Sequence, residues 1–346
     1  MGPVFAGSGR GRQMGELIMS APVAGLTSKS RITAEDVAML RHEVFGDGVV
    51  TRGEAEALFA LDATARDKCP EWAEFFVEAV TDYIVHQEKP EGYVSQDNAD
   101  WLVRTISRDG MVDSLTELEL LVHVLEAAKS SPSRLCVYAL EQVAHAVVDG
   151  KGPLMLGGAL VPGLIAKAEV ELLRRILHAH GGDGNIAITR AEAEVLFRIN
   201  ERTAQAGNDP SWNDLFVKAI ANFVMCSAGY EAPTREVALR RDSFLDHADP
   251  EIGGFFNRMI SGGLAGVIEA YRSPDDVEAE WEAKNRATAA LARRAETIDA
   301  GEAKWLIERI GADRPLHENE RALLTLIKHA SPEIHPALKP LLDKVA

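Results

Sequence analysis

Five short turns hold most of the oxygen donors that this chain places at regular spacing. They read GDGVVTRGE (46–54), EGYVSQDN (91–98), DGMVDSLTE (109–117), DGNIAITRAE (183–192) and DRPLHENE (313–320). Each runs from an acid, usually through a glycine and an apolar residue, to a polar residue and often a glutamate. Two chemistries use such a pattern. A helix–loop–helix calcium loop needs about six oxygen ligands, a glycine at its bend and a glutamate at position twelve. With Gly48 at the bend, Asp47 stands at position five, Thr51 at nine and Glu54 at twelve, but position three is Phe45, which offers no oxygen. With Glu192 at twelve, Asp183 stands at three and Asn185 at five, and Ile186 takes the place of the glycine. None of the turns carries the full D-x-[DN]-x-[DN]-G order.

The second chemistry is helix capping. Gly48, Gly92, Gly110 and Gly184 suit the left-handed conformation that ends a helix, and Thr51, Ser95, Asp113, Thr189 and Asp299 suit the N-cap of the next one. Thr51-Arg-Gly-Glu54 and Thr189-Arg-Ala-Glu192 are capping boxes, in which the glutamate reaches back to the cap's own amide. Each box is worth about 1 kcal/mol. Val50, Val94, Val112, Ile188, Ile298 and Leu316, just before the caps, are all apolar, as a chain pinned to the core at a helix entrance requires. Capping accounts for every turn, and calcium accounts for none completely.

The elements between the turns read as helices. Val37, Leu40 and Val44 recur at helical spacing, as do Trp72, Phe75, Phe76, Val80, Tyr83 and Ile84. Helix-forming Ala, Leu, Glu and Arg dominate, and alternating strand patterns are absent. The expected fold class is all-α.

The chain also resembles itself. ITAEDVAMLRHEVFGDGVVTRGEAEALFAL, from Ile32, matches IAKAEVELLRRILHAHGGDGNIAITRAEAEVLFRI, from Ile165. PEWAEFFVEAVTDYIV and PSWNDLFVKAIANFVM then align Trp72 with Trp212, and the later helices align Trp101 with Trp305 and Asp109 with Asp313. The second copy is longer by about sixty residues, inserted between 231 and 297. The expected organisation is a flexible N-terminal segment (1–30), a first copy of five or six helices (31–148), a Gly/Pro-rich connection (149–164) lying in a groove, and a second copy (165–346) with its insertion near 240–296. Within that insertion GGFFNRMISGGLAGVIEAY precedes a long charged helix, and 253–296 is the expected arm for a protein partner or self-association.

Composition narrows the function. The 346 residues carry 37 Lys and Arg against 53 Asp and Glu, a net charge of −16 that repels phosphate backbones, so no nucleic-acid partner is expected. Three widely spaced cysteines, Cys69, Cys136 and Cys226, form no disulfide framework or C-x-x-C pair. No apolar run is long enough to span a bilayer, and the expected location is cytoplasmic.

The phrase DGMVDSLTELELLVHVL and its partner DRPLHENERALLTLIKHA resemble the tellurite-resistance TerB-like helical domain. The resemblance covers about forty residues per copy. It implies a compact all-α bundle and, for some members, a divalent cation such as Ca2+ held by acids near such turns. Carried over residue by residue, those acids are Asp109, Asp113 and Glu117, and in the other turns Asp47 with Glu54 and Asp183 with Glu192. In the second copy Arg314 and His317 replace the Gly and the acid of the motif.

Other chemistry is thin. His178-x-His180 offers two imidazoles at a helix end, where a cationic C-terminus explains them as well. Cys69, before Pro70, reads either as a thiol of lowered pKa or as an N-cap. G-x-S-x-G and H-E-x-x-H are both absent, and no catalytic residues are assigned. The leading expectation is a non-enzymatic helical binding or adaptor protein, with a response to cations as an option its turns leave open. The alternatives are a divalent-metal-binding stress-response protein and an enzyme with its site between the copies.

Overall fold

The computed structural model describes residues 30–46, 48–87, 89–158, 160–179, 188–225, 298–311, 314–331 and 333–345. The expected flexible segment, Asp47, Asp183, Gly184, His180, Cys226 and the insertion near 240–296 lie outside the described residues. What is described is mostly helical, as the sequence predicts. Two compact units, Met1–Gln87 and Glu88–Ala346, divide the chain. That boundary falls inside the first predicted copy, and the 149–164 connection belongs to the second unit.

In the first unit β1 (Arg31–Ile32) leads into α1 (Ala34–Val44), followed by α2 (Arg52–Thr64), β2 (Asp67–Lys68) and α3 (Pro70–Thr81), which continues as a π-helical turn, Asp82–His86. β1 and β2 pair in parallel, Arg31 with Asp67 and Ile32 with Lys68, which fixes where α1 and α3 begin. Both α1 and α2 pack on α3, whose Trp72, Phe75, Phe76 and Val80 are buried. Phe59 meets Phe76 edge to face at 4.9 Å, a preferred aromatic geometry.

The second unit contains α4 (Gln96–Ile106), β3 (Ser107–Arg108), β4 (Met111–Val112), α5 (Leu115–Ala127), α6 (Ser133–Ala144), α7 (Lys167–Ala179), α8 (Arg190–Thr203), α9 (Pro210–Met225), α10 (Ala300–Ile310), α11 (Glu318–Ala330) and the short α12 (Lys339–Leu342). At its centre α9 packs on α7, α8 and α11, and α6 packs on both α7 and α8. Trp305 of α10 lies edge-on to Phe197 and Phe223, and its indole N–H donates to Glu194 at 2.7 Å. Arg175 of α7 forks between Glu119 and Glu126 of α5 at 2.8 Å each, which raises the guanidinium pKa further through those hydrogen bonds. The connection between α6 and α7 is anchored by buried Leu160 and Ile165 and by Gly163 N–H on the Val147 carbonyl at 2.7 Å. It does not lie wholly in a groove, because Leu156 and Val161 are 74% and 59% exposed.

The Asp109-Gly110 turn differs from its expected role as a helix end. Both residues have positive φ, 55° and 85°, and they close the antiparallel β3–β4 hairpin. Asp-Gly is the preferred pair for such a two-residue turn, and the glycine takes the second left-handed position without a Cβ penalty. The hairpin shifts the next cap by one residue. Ser114, not Asp113, caps α5, accepting from Glu117 N–H at 3.2 Å.

Gln142 of α6 holds this hairpin from inside. Its Oε1 accepts from Val112 N–H at 2.9 Å, and its Nε2 donates to the Gly110 carbonyl at 3.3 Å. The side chain is 1% exposed and its bond to Val112 N–H is buried, so no water replaces that bond. Gln142→Leu is expected to lower stability by about 1–3 kcal/mol, the cost of leaving the buried Val112 N–H unpaired. Urea denaturation of the two proteins measures it.

Candidate functional site

Three of the turn acids, Glu54, Glu117 and Glu192, are engaged at helix starts. Glu54 Oε2 accepts from Thr51 N–H at 2.7 Å and from Thr51 Oγ1 at 2.8 Å, while Thr51 Oγ1 accepts from Glu54 N–H. Glu192 Oε2 accepts from Thr189 N–H at 2.7 Å in the same way. Glu117 Oε2 accepts from Ser114 Oγ at 2.9 Å. Asp109 stands in its hairpin and Asp113 is exposed beside it. Asp47 and Asp183, outside the described residues, complete the set. Asp299 and Glu302 cap α10, and Ser95 caps α4, at the places the sequence gives. The entrance residues Val50, Val94, Val112, Ile188, Ile298 and Leu316 are all buried. Among the described residues no three or more His, Cys, Asp or Glu side chains gather as a metal ion would need.

Glu192 differs from Glu54 in one respect. It is 1% exposed, and its second oxygen, Oε1, accepts no hydrogen bond. Across from it on α6 lies Cys136, fully buried, with its thiol toward the Ile176 carbonyl at 3.8 Å. Burial pushes the Cys136 thiol far up, and the Glu192 carboxylate pushes it further. Cys69 is indeed the N-cap residue of α3, but its thiol makes no cap hydrogen bond. Burial and Glu71 raise its pKa, against the lowered value expected of a reactive helix-start thiol.

A second cluster went unnoticed in the sequence. A pocket of about 430 Å³ opens where α9 and α11 begin, between the end of α8 and the loop that follows it. Three amides line up along one wall. Asn213 Nδ2 donates to Asn319 Oδ1 at 2.6 Å, and Asn319 Nδ2 donates to Asn200 Oδ1 at 2.7 Å. Asn200 Nδ2 and the neighbouring Trp212 Nε1–H have no partner, although both residues are 1% exposed. At the rim Asp209 accepts from Ser211 N–H at 2.9 Å, and the Ser211 hydrogen bonds hold its carboxyl below the usual range. Glu318, which is exposed, also lines the pocket. In the two copies predicted from the sequence, Asp62 and Asn200 stand at matched places, each ahead of a tryptophan, Trp72 and Trp212.

The buried thiol makes a direct prediction. At pH 8 a thiol reagent is expected to leave Cys136 unmodified in the folded protein and to alkylate it once denaturant is added. Peptide mapping by mass spectrometry reads the site, and native modification at the rate of a free thiol would contradict the placement of Cys136 against Glu192.

No protein-family model, no curated protein and no solved structure matches this chain.

Proposed function

We propose that the chain is a tandem helical binding protein, built from two copies of one unit and serving as an adaptor rather than a catalyst. What carries the reading is that the same scaffold bonds recur at matched places. Cys69 N–H donates to the Ile32 carbonyl at 3.1 Å, and Asp209 N–H to the Ile165 carbonyl at 2.8 Å. Val94 N–H donates to the Ser130 carbonyl at 2.9 Å, and Ile298 N–H to the Glu333 carbonyl at 3.0 Å. Asp36 and Glu169 hold the amides of Thr33 and Ala166, at 3.0 and 2.9 Å, as Glu54 and Glu192 hold those of Thr51 and Thr189. The acids that recur between the copies keep helix entrances in place. A duplication that retains its scaffold and varies its surfaces suits the presentation of two related faces to partners. The insertion near 240–296, which breaks the repeat, is the arm we assign to a protein partner or to self-association.

A second reading has one observation in its favour. The buried Oε1 of Glu192 accepts no hydrogen bond, and a TerB-like divalent-metal protein would use such acids turn by turn, Glu54 with Asp47 and Glu192 with Asp183. Calorimetric titration of the chelator-stripped protein with calcium, magnesium and zinc separates the two. The adaptor reading expects no saturable heat. Saturable binding that Glu54→Ala or Glu192→Ala weakens at least tenfold would replace it with the metal reading. A pull-down with the full chain and with a 240–296 deletion tests the arm, and a partner retained equally by both would remove that assignment.

A further inference from the structure

We propose that the loop between α6 and α7 docks this protein on an anionic lipid surface, with Leu156 and Val161 entering the headgroup layer and Lys151 and Lys167 meeting the charged headgroups. Leu156 and Val161 are the two most exposed large apolar side chains among the described residues, and both belong to this one loop. Pro162 is exposed beside Val161, and Leu154, Met155 and Leu164 are half-buried. Single apolar residues at a surface need no explanation, but a group gathered on one loop does. The loop is folded so as to display them. Its buried Pro153, Leu160 and Ile165 anchor it. Lys151 N–H on the His145 carbonyl at 3.1 Å and Gly163 N–H on the Val147 carbonyl at 2.7 Å tie it to the end of α6. Gly158 N–H on the Met155 carbonyl and Leu164 N–H on the Val161 carbonyl, each at 3.2 Å, close turns within it.

Charge identifies the partner. From Gly150 to Ala168 the chain holds no acid, although Asp and Glu make up 53 of its 346 residues. The charges in that stretch are Lys151 and Lys167, both exposed, one at each foot of the loop. Asp149, just before it, lies 3.2 Å from the His145 imidazole, and Glu169, just after it, is buried and holds the Ala166 amide. An apolar tip between two ammonium groups matches a bilayer surface, where hydrocarbon lies beneath anionic headgroups. The net charge of −16 repels such a surface as a whole. At physiological salt, however, exposed charges farther than about 8 Å from the contact are largely screened. A second copy of the chain fits less well. A stable protein interface engages about 20–30 residues a side, more than one loop offers. A bilayer accepts a projecting side chain without a complementary pocket.

The test is co-sedimentation of the full chain with phosphatidylcholine vesicles, prepared with and without phosphatidylserine. The chain is expected to bind the mixed vesicles, and to bind phosphatidylcholine alone roughly tenfold less, the share of two lysines at an anionic surface. Leu156→Asp is expected to weaken binding to the mixed vesicles by about tenfold or more, with the circular dichroism of the native chain retained. Val161→Asp repeats the test at the second exposed side chain. Lys167→Glu, whose acid suits the first residue of α7, is expected to weaken binding to the mixed vesicles and leave binding to phosphatidylcholine unchanged. Binding to neither vesicle overturns the proposal. Binding that both aspartate variants leave unchanged overturns it too, because the contact then lies elsewhere in the chain. Equal binding to the two vesicles overturns it as well, since the lysines would play no part. Sedimentation velocity without lipid checks the competing occupant, and a dimer that Leu156→Asp dissolves would make the loop a contact between copies instead. Neither the duplication nor the adaptor role depends on these outcomes.

Discussion

A helix start leaves backbone N–H groups without intrahelical partners, and this chain has many short helices to start. Its answer is a carboxylate three residues inside the helix that folds back onto the cap's amide. Asp36, Glu54, Glu169, Glu192, Glu302 and Glu320 all make that bond, at 2.7 to 3.0 Å. The residue before the cap is then held against the core, as Val50, Ile188 and Ile298 are. Helices of 11 to 16 residues are marginal alone in water, so fixing their entrances and burying one face are what make them persist. The remaining architecture follows from which entrances are tied together. β1 pairs with β2, and Ile298 pairs with Ile334, so the start of one helix is registered against a distant segment.

On this frame sits an aromatic core, in which two tryptophans take similar places with different polar surroundings. Trp72 and Trp212 are equally buried, and each packs against the phenylalanine four residues on, Phe76 and Phe216. Their polar edges are not equal. Asp62 and Lys68 satisfy the first indole, while the second faces amides and a pocket. Glu54 and Glu192 show the same asymmetry, since one stands at the surface and the other is sealed beside Cys136.

Much of this was legible in the residues. Thr51, Ser95, Thr189 and Asp299 announce their caps because the capping interaction is local, between residues three apart. The helical class follows from apolar spacing. The residues point to Asp113 as a cap where the structure has Ser114, because Asp-Gly signals a helix end and a hairpin equally well. Which of the two forms depends on Gln142, which reaches the turn from a helix some thirty residues later. The polar pocket escaped notice for the same reason, since Asn200, Asn213 and Asn319 meet only when three helices come together.

The sequence by itself determined what depends on neighbours along the chain: where helices begin, which face of each is apolar, and which acids hold which amides. Tertiary structure alone decided which of those acids are buried, which thiol is silenced, and which donors are left without acceptors. The division has a physical basis. A cap is a bond within one turn of helix and is written in a few adjacent letters. Burial and the satisfaction of a side chain are set by whatever packs against it, and that partner stands anywhere in the chain.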